Sequence, residues 1–270
     1  MNDINQRVRR KKSRLTKWWL KSESIICAAI TGLALIVLWN LIGKYKIVNP
    51  LFISSPADVV RAGMRIVFEE GGLGPHLAIS AQEFVIGMFL GIGVGILMGV
   101  LLGHYRLAGQ MMDPIIMALN TTPRTALLPI LILWVGVGMG SKIAMVFLGA
   151  LLPIIVNTIV GIRTTDSHLI SIARSFGAKE SHLLFRIMLP SAIPAMLTGI
   201  RLGYGRGLLG VIVGEMYVST GGIGNQIMSY GGAFRMGELL FLVLVTSLVG
   251  LFGIIVIRKI EERIEVWRQA

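Results

Sequence analysis

Three arginines stand where a cation is expensive. Arg124, Arg201 and Arg206 lie inside or beside long apolar runs. A guanidinium facing hydrocarbon there costs at least about 2.5 kcal/mol, so each needs a partner or a task. Arg124 follows Pro123 in "NTTPRT", beside Asn120 and Thr121. A proline in a spanning helix frees a backbone carbonyl that such polar neighbours can satisfy. Arg201 and Arg206 share one apolar run that opens at Pro190. At about 1.5 Å per residue Arg201 lies ~16 Å into it and Arg206 ~8 Å further, turned by about 140°. Two chemistries fit these residues. One is structural ion pairing, for instance with Glu215, although Glu215 is about 13 Å from Arg206 along the same helix. The other is the lining of an anion route, since guanidinium favours carboxylate, sulfonate or nitrate. Both stay open on the sequence, with Asn120, Thr121, Arg124, Arg201 and Arg206 as the candidate lining.

Other chemistry is missing from the sequence. No G-x-x-x-x-G-K-[ST] loop occurs, and "GKYK" at 43–46 lacks the hydroxyl residue, so this chain is not expected to cradle ATP. His76, His104, His168 and His182 show no H-E-x-x-H spacing and Cys27 is the lone cysteine, so no metal site is expected. G-x-S-x-G is absent as well. The expectation is a non-enzymatic chain that binds no cofactor itself.

A polar stretch raises a different question. "SIARSFGAKESHLLFRIMLP", residues 171–190, carries five charged or titratable side chains between two apolar runs. Asp166 or Ser167 can cap a helix start. Leu169, Ile170, Ile172, Ala173 and Phe176 then recur at three- and four-residue steps, giving one apolar face. Gly177 suits the position after the helix, where positive φ is cheap. A second short helix is expected over about 179–188, with Pro190 opening the next span. Such a hairpin is too polar to insert and too apolar to float. It lies on the membrane or inserts into a partner.

The elements that position these residues are membrane spans. The chain is 54% hydrophobic and 15% charged, with mean hydropathy +0.75, whereas soluble chains run near 25% charged. Six stretches reach spanning length: Ile25–Gly43, Phe84–Gly103, 114–140 interrupted by "NTTPRT", Ile143–Ile162, 190–214 and Leu239–Ile257. The net charge of +12 does not argue for nucleic acid, because eight of the basic residues fall within the first 21. That excess is a positive-inside signal. It keeps the N-terminus cytoplasmic, and six spans return the C-terminus there. The connection 163–189 then falls inside, and 44–79 and 215–236 outside. The domain plan is a basic tail at 1–22, a first span and outer segment at 23–75, a core at 76–257 and a tail at 258–270. Glycines step by four at Gly87, Gly91, Gly95 and Gly99, and again at Gly199, Gly203 and Gly207. Small residues in that register let backbones approach closely in lipid.

The hairpin resembles the cytoplasmic E-A-A-x-x-x-G-x9-I-x-L-P signature of ABC-importer permeases. Ala173, Gly177, Ile187, Leu189 and Pro190 match at that spacing, while Ser171 and Ile172 replace the first Glu and Ala. "PLFISSPADV", "DPIIMALNTTPRTALLPILILWVGVG" and "GEMYVSTGGIGNQI" look like further segments of the nitrate/sulfonate/taurine-type subfamily, so the resemblance covers about 50–260. It implies an all-α membrane protein of about six spans with the type I ABC importer permease fold. It implies a coupling helix built on Ser171, Ala173, Phe176, Gly177, Ile187, Leu189 and Pro190, which docks on a separate ATPase subunit. It further implies two ATPase copies holding ATP and Mg, a second copy of this permease, an extracytoplasmic solute-binding protein, and a bacterial or archaeal cytoplasmic membrane. The expected function is ATP-driven import of a small anionic solute. An ion-coupled secondary transporter is the alternative. It usually shows internal repeats, and none is evident.

Overall fold

The computed structural model describes residues 26–45, 49, 51–68 and 72–269. The basic tail assigned to 1–22 and the start of the first span at Ile25 lie outside the described residues. All regular structure among them is helical. In chain order come α1 (Ile26–Lys44), α2 (Pro56–Phe68), α3 (Gly74–His104), α4 (Arg106–Thr121), a 3-10 turn (Arg124–Leu127) and α5 (Leu128–Val135). Then follow α6 (Met139–Arg163), α7 (Ser167–Ser175), α8 (Glu180–Leu183), a π-turn (Leu184–Met188), α9 (Leu189–Val218), α10 (Ile223–Gly232) and α11 (Met236–Gln269). Among the described residues five helices are long and apolar enough to cross a membrane, and α4 with α5, bent by 91° at their break, makes either a broken sixth span or a re-entrant loop.

The core is α6 held between α3 and α9, and glycine sets the distance on both sides. A Cβ added at Gly87, Gly91, Gly95, Gly99 or Gly103 would fall within 2.5–2.8 Å of Val146, Ala150, Ile154, Thr158 or Ile162 in turn. Both partners advance by four residues, so α3 and α6 run parallel in constant register. On the other face Gly199, Gly203, Gly207 and Gly210 meet the neighbourhoods of Ile154, Ala150, Val146 and Met145. There the order reverses, so α9 is antiparallel to α6. Val146, Ala150 and Ile154 are fully buried between the two stripes. In lipid this close packing replaces the missing hydrophobic drive between helices.

The spans differ from the expected windows in an instructive way. Windows opening at Phe84, Ile143 and Leu239 each start just after a charge. The helices instead begin at Gly74, Met139 and Met236. Glu83 pairs with Lys142, and Glu238 accepts from Arg65 at 2.8 Å and Arg235 at 2.9 Å. Once paired, the charges no longer end the helices. At the other end the tail expected from 258 continues α11 without a break, with Arg258 donating to Glu262 one turn on.

The third span breaks where the sequence carries Pro123. Thr122, ahead of it, is extended at φ −66°, ψ 129°, as a following proline requires. Thr121 Oγ1 and Thr122 Oγ1 both donate to Ala118 O at 2.9 Å, adding to the Thr122 N–H that closes the helix on the same carbonyl at 3.2 Å. The stretch before Pro190 behaves differently. The expected separate helix over 179–188 runs straight into the fifth span, because a π-turn absorbs the proline and Leu189 N–H reaches back to Leu184 O. Such single-turn widenings accommodate irregularities without ending a helix.

Candidate functional site

The break between α4 and α5 opens a chamber against α6 and α9. Its volume is about 290 Å³, and its walls include Asn120, Thr122, Arg124, Thr125, Gly149 and Arg206. That is far above the ~15 Å³ that holds one water. Three expected residues therefore converge here: Asn120, Arg124 and Arg206. Arg206 Nη1 donates to Asn120 Oδ1 at 3.0 Å, and Arg124 Nη2 donates to the same oxygen at 3.3 Å. Arg124 Nη1 reaches Gly149 O at 3.4 Å, while its Nε is buried with no acceptor. The glycine at 149 lets this happen, because a Cβ there would strike Arg206 O at 2.9 Å. Among the described residues no carboxylate lines the chamber. Thr121 lies beside it and turns its hydroxyl back to α4.

Arg201 is placed elsewhere. Its Nε lies 3.5 Å from Glu261 Oε2 on the continuation of α11. Glu261 also accepts from Thr198 Oγ1 at 2.8 Å. The suggested pairing of Arg206 with Glu215 does not occur: Glu215 accepts from Ser80 Oγ at 2.6 Å and from Gly224 N at 2.7 Å.

Glu215 belongs to a buried cluster, at the α10 end of the bundle on the side expected to be outer, that the sequence windows cut apart. Lys142 pairs with Glu83 and donates to Ser219 Oγ at 3.0 Å. Ser80 Oγ in turn accepts from Ile223 N at 2.9 Å, and His76 Nδ1 accepts from Gly222 N at 3.2 Å. The start of α10 is thereby tied to α3, α6 and α9. The signal was the charges flanking each apolar window, Glu83 before one and Lys142 before the next.

The cytoplasmic-signature hairpin is built as its residue types dictate. Asp166 caps α7, accepting from His168 N at 2.8 Å. Gly177 takes φ +78°. Ala178 N donates to Ala173 O and Gly177 N to Arg174 O, which closes the helix end in a Schellman turn. Arg174 and Glu180 bridge the two arms at 2.9 Å. Ala173, Ile187 and Pro190 then line one groove of about 440 Å³ together with Leu169 and Ile172. Phe176 at the tip is 88% exposed, and Leu169 and Ile172 are about half exposed. An apolar tip this open needs a partner surface. Ser171 faces back to Ser167 O, and Leu189 sits half-buried at the start of α9.

Residues 91–266 match the family model described as binding-protein-dependent transport system inner membrane component. The chain belongs to this family. The permease is 31% identical to the putative aliphatic sulfonates transport permease protein SsuC of Bacillus subtilis (strain 168), over 97% of this chain and 93% of that one. It is 27% identical to the taurine transport system permease protein TauC of Escherichia coli (strain K12), over 94% of each. Its fold is similar to that of the MetNI methionine ABC transporter in inward-facing conformations, with TM-score 0.55 and 20% identity, covering 69% of this chain and 91% of that one. It is thus an inner-membrane, multi-pass permease of an ABC importer, and the ion-coupled alternative is not favoured. A permease of this class works with ATPase and binding-protein partners.

Proposed function

We propose that this permease passes a small oxyanion-bearing solute, of the sulfonate kind its relatives are named for, from an extracytoplasmic binding protein to the cytoplasm. Two copies pair to enclose the route, and both termini lie in the cytoplasm. ATP and Mg are held by two ATPase subunits, and this chain binds no cofactor. The hairpin 167–188 is the coupling element. The observation that carries this reading is its build: a capped turn that leaves Phe176 88% exposed and Leu169 and Ile172 about half exposed. Helix-in-groove docking uses such an apolar face for affinity, and rim charges such as Arg174 and Glu180 set register. Because α8, the π-turn and α9 are one continuous element, a pull on the hairpin reaches the fifth span directly.

The test is ATP hydrolysis by the assembled complex, stimulated by the loaded binding protein. Gly177→Val forces positive φ on a β-branched residue, and Ala173→Asp puts a carboxylate into the hairpin groove. Each variant is expected to insert normally and lose stimulated hydrolysis. Full stimulation in both would remove the coupling assignment.

A further inference from the structure

We propose that the chamber between Arg124 and Arg206 is a transient oxyanion site, and that Asn120 is its internal placeholder. This rests on the transport reading above and names the site at which the solute's anionic head is met. Two guanidiniums face one cavity, and every acceptor they find is neutral: Asn120 Oδ1, shared by both, and Gly149 O. Those of Arg124 lie at 3.3 and 3.4 Å, well beyond the ~2.8 Å of a charge-assisted bond. A third donor, Arg124 Nε, is buried and unanswered. Cations kept off the lipid are answered by a counter-charge, a backbone carbonyl or a water-filled cavity, and the same bundle uses a counter-charge with Lys142 and Glu83. Here no counter-charge is supplied among the described residues.

An anion with several equivalent oxygens completes this geometry. Sulfonate can take a donor from each arginine, because guanidinium presents its terminal donors as a planar fork. Asn120 Oδ1 holds the two forks converged while the site is empty, and the incoming anion displaces it. A carboxylate in that position would close the site. The neutral amide competes weakly, so the site admits an anion and also releases it, as a transit site must.

The charge preference is measured without knowing the solute and without ATP. In a Cys27→Ser background, Thr125→Cys puts a thiol in the chamber wall of the full complex. Two methanethiosulfonate reagents of similar size are compared, one with a sulfonate head and one with a quaternary ammonium head. Their rate ratio is referred to that on free N-acetylcysteine. A cleft of one charge sign raises counter-ion rates by about 10- to 1,000-fold, so the anionic reagent is expected to be favoured at least ~10-fold. Methanesulfonate in excess should slow it. Arg124→Gln/Arg206→Gln should return the ratio to the reference, Asn120→Ala should keep or raise the preference, and Asn120→Asp should abolish it. If the double arginine variant fails to assemble with the ATPase, Asn120→Asp alone carries the test. A parent ratio at the reference value, or one unmoved by Asn120→Asp, overturns the site. A ratio as expected in a complex whose hydrolysis ignores the binding protein leaves the site standing and removes the transport reading instead.

Discussion

Two polar clusters sit inside this apolar bundle, and they are answered differently. In the outer one Glu83 meets Lys142, Glu215 meets Ser80 and the Gly224 amide, and Ser80 meets the Ile223 amide. Each buried charge there meets an opposite charge or a donor, and only Glu83 Oε2 is left without a hydrogen bond. In the chamber two arginines share one neutral oxygen and have no counter-charge among the described residues. Both clusters cost desolvation. The first recovers it within the chain and fixes how α10 sits on α3, α6 and α9. The second leaves the recovery to something that enters. A matched cluster is thus read as architecture, and an unmatched one as a site.

Breaking the outer pair should cost most. Lys142→Met leaves Glu83 buried and unpaired, an effect of about 3–5 kcal/mol, and is expected to abolish the folded permease in detergent. The double variant Glu83→Gln/Lys142→Met should recover much of that loss, since a buried pair replaced as a unit is often nearly neutral. Denaturation of the purified complex reads both. Recovery that fails to appear would mean the pair does more than neutralise itself.

Next come the glycine contacts that hold both clusters in place. Gly99→Ala sets a Cβ 2.5 Å from Thr158 and 3.0 Å from Ile155 O, whereas at Gly207 the nearest atom is 3.3 Å away. Overpacking costs about 1–3 kcal/mol, so Gly99→Ala should lower complex yield clearly and Gly207→Ala little. Equal losses would contradict the register of α3 on α6. Glu215→Gln removes one acceptor from a buried network, about 1–3 kcal/mol. It should loosen α10, seen as faster hydrogen exchange at Ile223 and Gly224. Unchanged exchange there would show that the carboxylate does not hold the loop.

The smallest stability effect belongs to the arginines. Arg206→Gln removes a cation with no carboxylate partner, so denaturation should move by less than about 1 kcal/mol. Arg201→Gln gives a useful contrast. Arg201 lies near Glu261, so its loss should disturb the continuation of α11 on α9 rather than the chamber.

The hairpin was the most legible part of the chain. Asp166, Gly177 and the apolar spacing between them specify a capped helix and its turn from local chemistry alone. The chamber was half legible: Arg124 and Asn120 share the proline break, but Arg206 joins them only through the α6–α9 contact at Gly149. Depth separates Arg201 from Arg206 by about 8 Å, but it does not say which of them meets a carboxylate. What decides that is Glu261, which a hydropathy window assigns to a tail. Charges beside an apolar window look like its ends. Glu83 and Lys142 lie 59 residues apart in sequence, and only the constant α3–α6 register brings them together.

The central claim is that the unanswered arginines serve the solute. Uptake of a labelled sulfonate, chosen as one that the binding protein of the complex holds, into proteoliposomes with the full complex tests it most directly, with parent and Arg124→Gln/Arg206→Gln compared at matched stability and matched ATPase content. Losing the local enrichment of the anionic solute, about 10-fold or more, should lower uptake by at least that factor while denaturation of the complex is nearly unmoved. Uptake at the parental rate, or a loss of uptake that only tracks a loss of folded complex, would contradict it.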